Sequence, residues 1–261
     1  MLFDTHAHYD DEKFQKDRYE IIGQAHTEGV SYIINAATDI ASSVESISLA
    51  QEFPFVYAAV GIHPHNVGEI NDNTLVTIAD FATNKRVVAI GEVGLDYYYN
   101  HATREVQKYW LAKQIHMAKN LNLPLIIHDR DAHEDTMNLL KSQEAKTVGG
   151  VLHCYSGSVE MARELIKMNF YIGIGGSVTF KNAKTILEVA AFVPDDRLLI
   201  ETDCPYMTPE PFRGKRNDSR YIRYVAEKIA QIRGLSLEEL ARLTTENAKR
   251  LFKIRQDADI S

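Results

Sequence analysis

Eight short apolar runs rich in β-branched residues alternate along the chain with longer amphipathic stretches, and this alternation limits the possible folds most strongly. A helical stretch after every strand, with connections long enough for a crossover, indicates parallel pairing. The pattern therefore predicts an α/β protein, specifically a TIM (β/α)8 barrel rather than an open doubly wound sheet, at a length of 261 residues that suits this fold. The predicted strands are 2–6, 31–36, 56–61, 87–92, 125–128, 150–153, 170–174 and 198–203.

The segments between the strands support one barrel. Residues 103–121 carry apolar side chains at helical spacing, and Ser236 followed by Glu239 is typical of a capping box that opens a late helix. No Gly-x-Gly-x-x-Gly turn follows the first strand, so the usual dinucleotide-binding signal is missing. No linker or low-complexity tract interrupts residues 1–261, which we interpret as a single domain.

Composition restricts the partners and the compartment. No apolar run approaches the roughly 20 residues of a membrane span, and no leader precedes the first strand, so we expect a cytoplasmic protein with no membrane partner. The net charge of −7 argues against a broad basic surface for duplex nucleic acid. Cys154 and Cys204 are expected to be buried thiols, with a disulfide between them as the alternative.

Histidines and carboxylates recur where the predicted strands end. His6 and His8 stand two residues apart at the end of the first strand, where extended backbone points both side chains to one face. Asp4 has the same parity, and Glu201 has that of Asp203, so we expect at least one of these two acids to orient a metal-binding imidazole. Asp4 as a simple brace of the strand is the alternative.

Because barrel enzymes place their chemistry at the carboxyl ends of the strands, these residues are expected to meet. Each alone has an ordinary explanation, such as a core histidine or a helix cap, but burying all of them together without a cation would be unfavourable. Six ligands suit two divalent metal ions that share a carboxylate, and Mg²⁺, Mn²⁺ and Zn²⁺ all remain open. The predicted ligands are His6, His8, Glu92, His128, His153 and Asp203.

In order along the chain, these segments resemble the TatD family of metal-dependent deoxyribonucleases. The motifs that carry the resemblance include Asp4-Thr5-His6-Ala7-His8, His63-Pro64-His65, Gly91-Glu92-Val93-Gly94-Leu95-Asp96, His128-Asp129-Arg130, His153-Cys154-Tyr155-Ser156-Gly157 and Glu201-Thr202-Asp203-Cys204-Pro205. The resemblance implies a TIM barrel, two divalent metals and hydrolysis of phosphodiester bonds in DNA, often 3′ to 5′ on single strands. It assigns one metal to His6, His8 and Asp203 and the other to His128 and His153, with Glu92 between them.

Other residues near the strand ends are assigned to catalysis and substrate binding. Asp203 is expected to take a proton from the attacking water as well as to bind metal, and His63 to donate to a phosphate oxygen or assist the leaving group. A small set of basic and aromatic groups around the mouth suits a single-stranded DNA end better than a duplex. The predicted substrate contacts are His65, Tyr97, Arg130, Lys181 and Arg213.

Two other functions remain open on the sequence alone. The same centre could cleave an ester or amide, as in an aminoacyl-tRNA deacylase, or the barrel could bind metal without catalysis. A non-enzymatic role is disfavoured because no ligand position is missing. Oligomeric state is not encoded in any feature of the sequence that we recognise.

Overall fold

The computed structural model describes residues 1–99 and 101–254, and its eight strands form one sheet in which each strand pairs in parallel with the next. The strands are β1 (Leu2–Ala7), β2 (Val30–Ala36), β3 (Val56–Val60), β4 (Val87–Asp96), β5 (Leu125–Arg130), β6 (Gly150–Leu152), β7 (Phe170–Ile174) and β8 (Leu198–Ile200). The helices are α1 (Arg18–Thr27), α2 (Ile40–Glu52), α3 (Asp72–Phe81), α4 (Arg104–Leu121), α5 (His133–Ser142), α6 (Val159–Lys167), α7 (Lys184–Phe192), α8 (Ile222–Arg233) and α9 (Leu237–Leu251).

The last strand returns to the first and nearly closes the barrel. Ala7 and Cys204 form a parallel bridge. The His8 amide donates to the Cys204 carbonyl over 2.8 Å, and the Asp203 amide donates to the His6 carbonyl over 2.9 Å. The predicted (β/α)8 barrel is therefore confirmed. The bonds that close it involve the backbone of His6, His8 and Asp203, three of the predicted metal ligands.

Several predicted strand ends are wrong in an informative way. β8 stops at Ile200 rather than at 203, because the chain then turns from β7 to β1 and Asp203 adopts φ 56°. β6 stops at Leu152, one residue before His153. β4 instead runs on to Asp96 and β5 to Arg130, since these two strands keep pairing beyond the end of β3.

The barrel interior is filled by side chains and sealed at its amino-terminal end by the last helix. Phe3, Ile34, Ile126 and Leu199 belong to one buried cluster with residues that end α9, and the Phe3 and Phe252 rings lie 6.5 Å apart. Ser236 caps α9 with the predicted capping box, in which its side chain accepts from the Glu239 amide. Packing at this end leaves the opposite, carboxyl-terminal end of the strands free for polar groups.

Local signals fix the ends of the longest helix. Thr103 is the N-cap of α4 and accepts from the Val106 amide, and Asn122 ends the helix in the left-handed conformation.

Both cysteines are free, so the disulfide alternative is wrong. Among the helices of the described residues, none combines the length and apolar character that crossing a membrane requires.

Candidate metal centre

The carboxylate of Glu92, buried at the carboxyl-terminal end of the barrel, is the point on which the histidines converge. Its Oε2 atom lies 3.4 Å from His6 Nε2 and 3.5 Å from His8 Nε2. Its Oε1 atom lies 2.7 Å from His153 Nε2 and 2.8 Å from His128 Nδ1. The two oxygens of one carboxylate thus face two separate pairs of histidines.

Asp203 completes the group around Oε2. Its Oδ1 atom lies 3.4 Å from His8 Nε2 and 3.8 Å from His6 Nε2, and the two imidazole nitrogens lie 3.0 Å from each other. On the other side, His128 Nδ1 lies 3.3 Å from His153 Nε2. All six residues predicted as ligands are therefore within reach of one small volume.

Hydrogen bonds to the second ring nitrogen distinguish His8 from His63. His8 Nδ1 lies 2.8 Å from the Ala36 carbonyl, which only accepts, so the proton of a neutral ring is on Nδ1 and the Nε2 lone pair is free. His63 is the reverse case. The His65 amide donates to His63 Nδ1 over 3.1 Å, which leaves the proton of the neutral ring on Nε2, 3.5 Å from Glu92 Oε1. His63 therefore presents a donor to the centre, whereas His8 presents a lone pair.

The pKa values follow from burial and from the surrounding charges. Burial alone would raise the pKa of Glu92, but His153, His63 and His128 lower it well below its usual value. Burial likewise opposes ionisation of Asp203, yet the hydrogen bond from His8 and the nearby histidines lower its pKa. Burial lowers the pKa of His63 to about 4. Both acids are thus ionised and His63 is neutral near pH 7.

Asp4 and Glu201 occupy different environments. The register of β1 shifts between Asp4 and Ala7, so Asp4 does not share the inward face of His6 and that part of the prediction is wrong. Its carboxylate accepts from the Thr202 amide, the Thr202 hydroxyl and the Ser219 hydroxyl, which tie β1 to the segments after β8. Glu201 does face inward, with Oε1 3.6 Å from His153 Nδ1.

The close approach of β4 to β5 depends on a glycine. Gly94 pairs with His128 and has φ 157°, and a Cβ added there would lie 1.9 Å from the His128 carbonyl oxygen. A larger residue would separate the strands that carry Glu92 and His128.

Two buried glutamines on α4 hold the strand ends in place, and sequence reasoning missed both. Gln114 accepts from the Ile62 amide over 2.8 Å and donates to the Ile62 carbonyl over 3.0 Å, next to His63. Gln107 makes the equivalent pair of bonds with the backbone of Asp96. The available signal was two amides, seven residues apart, on the apolar face of the helix.

A cavity of about 960 Å³ opens over the centre, at the upper end of the range of small-molecule pockets. Arg130 lines this cavity, and its guanidinium lies 4.2 Å from the Tyr98 ring centroid and 4.9 Å from that of Tyr99. His65 also lines the cavity, and its Nε2 atom lies 2.8 Å from Asp96 Oδ2.

Three predicted substrate contacts are not among the described residues that line this cavity. Tyr97 donates its hydroxyl proton to Asp135, Arg213 lies 3.7 Å above the Phe180 ring, and Lys181 is exposed. Their assignment to substrate binding stays a prediction, which requires a strand that extends beyond the cavity.

The donor atoms of the centre fit divalent cations. Imidazole nitrogens and carboxylate oxygens form sets of three whose atoms all lie within 4.8 Å of one another: His6, His8 and Asp203; His6, Glu92 and His153; His63, Glu92 and His128. The protonated Nε2 of His63 argues against its use as a ligand in the third set. Borderline ions such as Zn²⁺ and Mn²⁺ accept this mixture of donors.

Comparisons with known proteins agree with the barrel and include a relative named as a metal-dependent hydrolase. The family model described as TatD related DNase matches residues 3–253. A protein of Bacillus subtilis called "Uncharacterized metal-dependent hydrolase YabD" is 49% identical over 254 residues, covering 97% of this chain and all of the relative. The "3'-5' ssDNA/RNA exonuclease TatD" of Escherichia fergusonii is 35% identical over 259 residues, covering 97% and 99%. The crystal structure of YJJV, a TatD homologue from Escherichia coli, superimposes with a TM-score of 0.91 at 31% identity, covering 97% and 98%.

Proposed function

The chain belongs to the TatD-related DNase family, and from that premise we propose that it is a divalent-metal-dependent hydrolase that removes nucleotides from the 3′ ends of single-stranded DNA. The observation that carries the proposal is the position of Glu92. Its two oxygens face separate histidine pairs, the arrangement expected of a carboxylate shared by two ions. Two bound ions would supply a nucleophilic water at neutral pH and offset the charge of the reacting phosphoryl group.

The residues around Glu92 take distinct roles in this proposal. His6, His8 and Asp203 would hold one ion, His128 and His153 would hold the other, and Glu92 would offer one oxygen to each. Asp203 also accepts the proton of the attacking water, because its carboxylate is ionised and lies at the edge of the cavity. The neutral His63 ring donates a hydrogen bond from Nε2–H to a phosphate oxygen, since its pKa of about 4 leaves few protonated molecules at pH 7.

The residues around Arg130 suit the end of a DNA strand. Arg130 stands beside two exposed tyrosines, Tyr98 and Tyr99, which offer a surface for stacking an unpaired base and a cation for its phosphate. The net charge of −7 leaves no excess of positive charge to hold a long duplex. The name of the Escherichia fergusonii relative supports the same substrate and direction.

The test uses single-stranded DNA with a 5′ label, so that stepwise loss from the 3′ end gives a ladder of shorter labelled products. Protein loaded with Mg²⁺, Mn²⁺ or Zn²⁺ is expected to produce the ladder. His128→Ala should abolish it, and the matched control His116→Ala, on the exposed face of α4, should not. Intact DNA with wild-type protein under all three metals would contradict the proposal.

An aminoacyl ester on tRNA is the second candidate, and the acidic part of the cavity lining favours it. The lining includes the carboxylates Asp10, Asp11, Glu12, Asp39 and Glu45. Arg18, which also lines the cavity, is already paired with Glu45. Such a surface suits the ammonium group of an aminoacyl ester. Release of amino acid from aminoacyl-tRNA with DNA left intact would favour this candidate over the nuclease.

A further inference from the structure

Asp96, the last residue of β4, is a buried carboxylate whose oxygens serve two different sets of partners. Oδ1 accepts from the backbone amides of Tyr98 and Tyr99 over 3.0 and 2.9 Å. Oδ2 lies 3.1 Å from His128 Nε2 and 2.8 Å from His65 Nε2. One side chain thus joins the metal centre to the rim of the cavity.

The bond to His128 determines which ring nitrogen faces the centre. A carboxylate oxygen only accepts, so it holds a proton on His128 Nε2. The other nitrogen, Nδ1, then carries the lone pair and lies 2.8 Å from Glu92 Oε1. His6, His8 and His153 direct Nε2 to the centre, whereas His128 directs Nδ1, so its proton must be held on Nε2.

The remaining contacts of Asp96 hold the residues at the rim. His65 lines the cavity and is held through Nε2. The amides of Tyr98 and Tyr99 fix the backbone that carries the two rings beside Arg130. Gln107 in turn binds both the amide and the carbonyl of Asp96, so the carboxylate rests on a fixed backbone.

We propose that Asp96 is a positioning residue that keeps His128 in the tautomer whose Nδ1 can bind the ion and that holds His65 at the rim. The inference rests on the proposed function, because it requires an ion beside His128. Carboxylates that orient ligand histidines typically contribute 10–100-fold to metal affinity. The same range is expected here for one of the two ions only.

Asp96→Asn is the informative change. The amides of Tyr98 and Tyr99 keep the oxygen of the asparagine on their side, so its NH₂ group faces His128 Nε2. This donor stabilises the neutral ring with its proton on Nδ1, which cannot then bind metal. Asp96→Ala removes the bond without imposing the wrong tautomer. Asp96→Asn should therefore lower metal affinity more than Asp96→Ala does. A purely structural role for Asp96 predicts the opposite order.

The experiment titrates metal-free protein with Zn²⁺ against a chromophoric chelator. Wild type should bind two ions, and Asp96→Asn should weaken one of them by about 10–100-fold. Asp135→Asn is the matched control at the same end of the barrel, since Asp135 contacts Tyr97 and Lys108 and no predicted ligand. His65→Ala should leave zinc affinity near that of wild type, and Asp96→Asn should have no further effect in a His128→Ala background.

A measurement on wild-type protein covers the case in which the variant does not fold. In the zinc-loaded protein, ¹H–¹⁵N correlation of the histidine rings should place the His128 proton on Nε2, and a proton on Nδ1 would overturn the inference. The inference would also be overturned if Asp96→Asn left both zinc affinities unchanged, or if Asp96→Ala bound zinc more weakly than Asp96→Asn. Wild-type protein that binds none of Zn²⁺, Mn²⁺ and Mg²⁺ would instead overturn the proposed function, and this inference with it.

Discussion

Replacing Gln114 with leucine tests whether α4 holds the His63 segment in place. The side chain is buried and makes two hydrogen bonds to the backbone of Ile62, one to its amide and one to its carbonyl. Leucine has a similar volume but no polar atoms, so both backbone groups lose their partner inside the protein. Leaving a buried donor or acceptor unpaired costs about 1–3 kcal/mol each.

The expected loss for Gln114→Leu is therefore about 2–6 kcal/mol in the free energy of unfolding. For a chain somewhat longer than 250 residues, each kcal/mol lowers the melting temperature by roughly 2–4 °C, so a loss near the middle of this range lowers it by about 8–16 °C. His63 follows Ile62 directly, and a shift of about 1 Å in a reacting group can reduce the rate by about 100-fold. We expect kcat on single-stranded DNA to fall by about 10–100-fold while metal content stays unchanged, because His63 is not a proposed ligand.

The assay combines urea unfolding, thermal melting and nuclease kinetics on the same preparations. Gln51→Leu is the matched control, because Gln51 is exposed on α2 and a surface change of this kind alters stability by no more than about 0.5 kcal/mol. If Gln114→Leu and Gln51→Leu unfold at the same urea concentration, the reasoning from buried hydrogen bonds is refuted.

Three further changes probe other parts of the account. Asp203→Asn should lower kcat by about 100–10,000-fold, since it removes the proton acceptor, and a loss below threefold in a steady-state assay would argue against this role. Arg130→Ala should raise KM for single-stranded DNA about 10-fold, as expected for a lost contact of about 1–2 kcal/mol, with a weaker salt dependence and little change in kcat. Asp17→Asn removes an ion pair with Arg216 that holds the pKa of Asp17 below its ordinary value of 3.8. That pair stabilises the fold above the ordinary carboxyl pKa of 3.8 and is lost as the pH falls through the lowered pKa. The variant should therefore be less stable than wild type at pH 7, by up to about 1 kcal/mol, and this difference should shrink as the pH falls below 3.8; no measurable difference at pH 7 would contradict the assignment.

The sequence predicted the barrel and the convergence of the six ligand-type residues for a simple reason. Alternating strands and helices indicate parallel pairing, and parallel strands in a barrel bring their carboxyl ends together. His6, Glu92 and His153 are distant in sequence, but His6 lies one residue before the end of β1, His153 directly follows β6, and Glu92 lies in the carboxyl-terminal half of β4. No knowledge of side-chain rotamers was needed to expect them in one place.

Asp4 shows where this reasoning fails. Parity predicts the face of a residue only while the strand remains regular, and the register shift in β1 turns Asp4 towards Thr202 and Ser219. Nothing in the sequence reveals such a shift. Glu201, directly after the regular strand β8, faces inward as expected.

The periodicity of the sequence also does not predict the hydrogen bonds that support the site. Gln107 and Gln114 act through the backbone of residues on β4 and after β3, and this pairing depends on how α4 docks against the sheet. The sequence predicts no role for Asp96, because its contacts with His65 and His128 arise only in the folded protein. The interpretation of residues 1–261 as a single domain stays a prediction.

Metal content measured by elemental analysis tests the central claim most directly. Wild-type protein loaded with Zn²⁺ or Mn²⁺ and freed of excess ion should contain two metals per chain, and Glu92→Gln should contain fewer, because the amide cannot bridge two cations. A wild-type ratio well below one, or an unchanged ratio of two in Glu92→Gln, would contradict the account of Glu92 as the carboxylate shared by both ions.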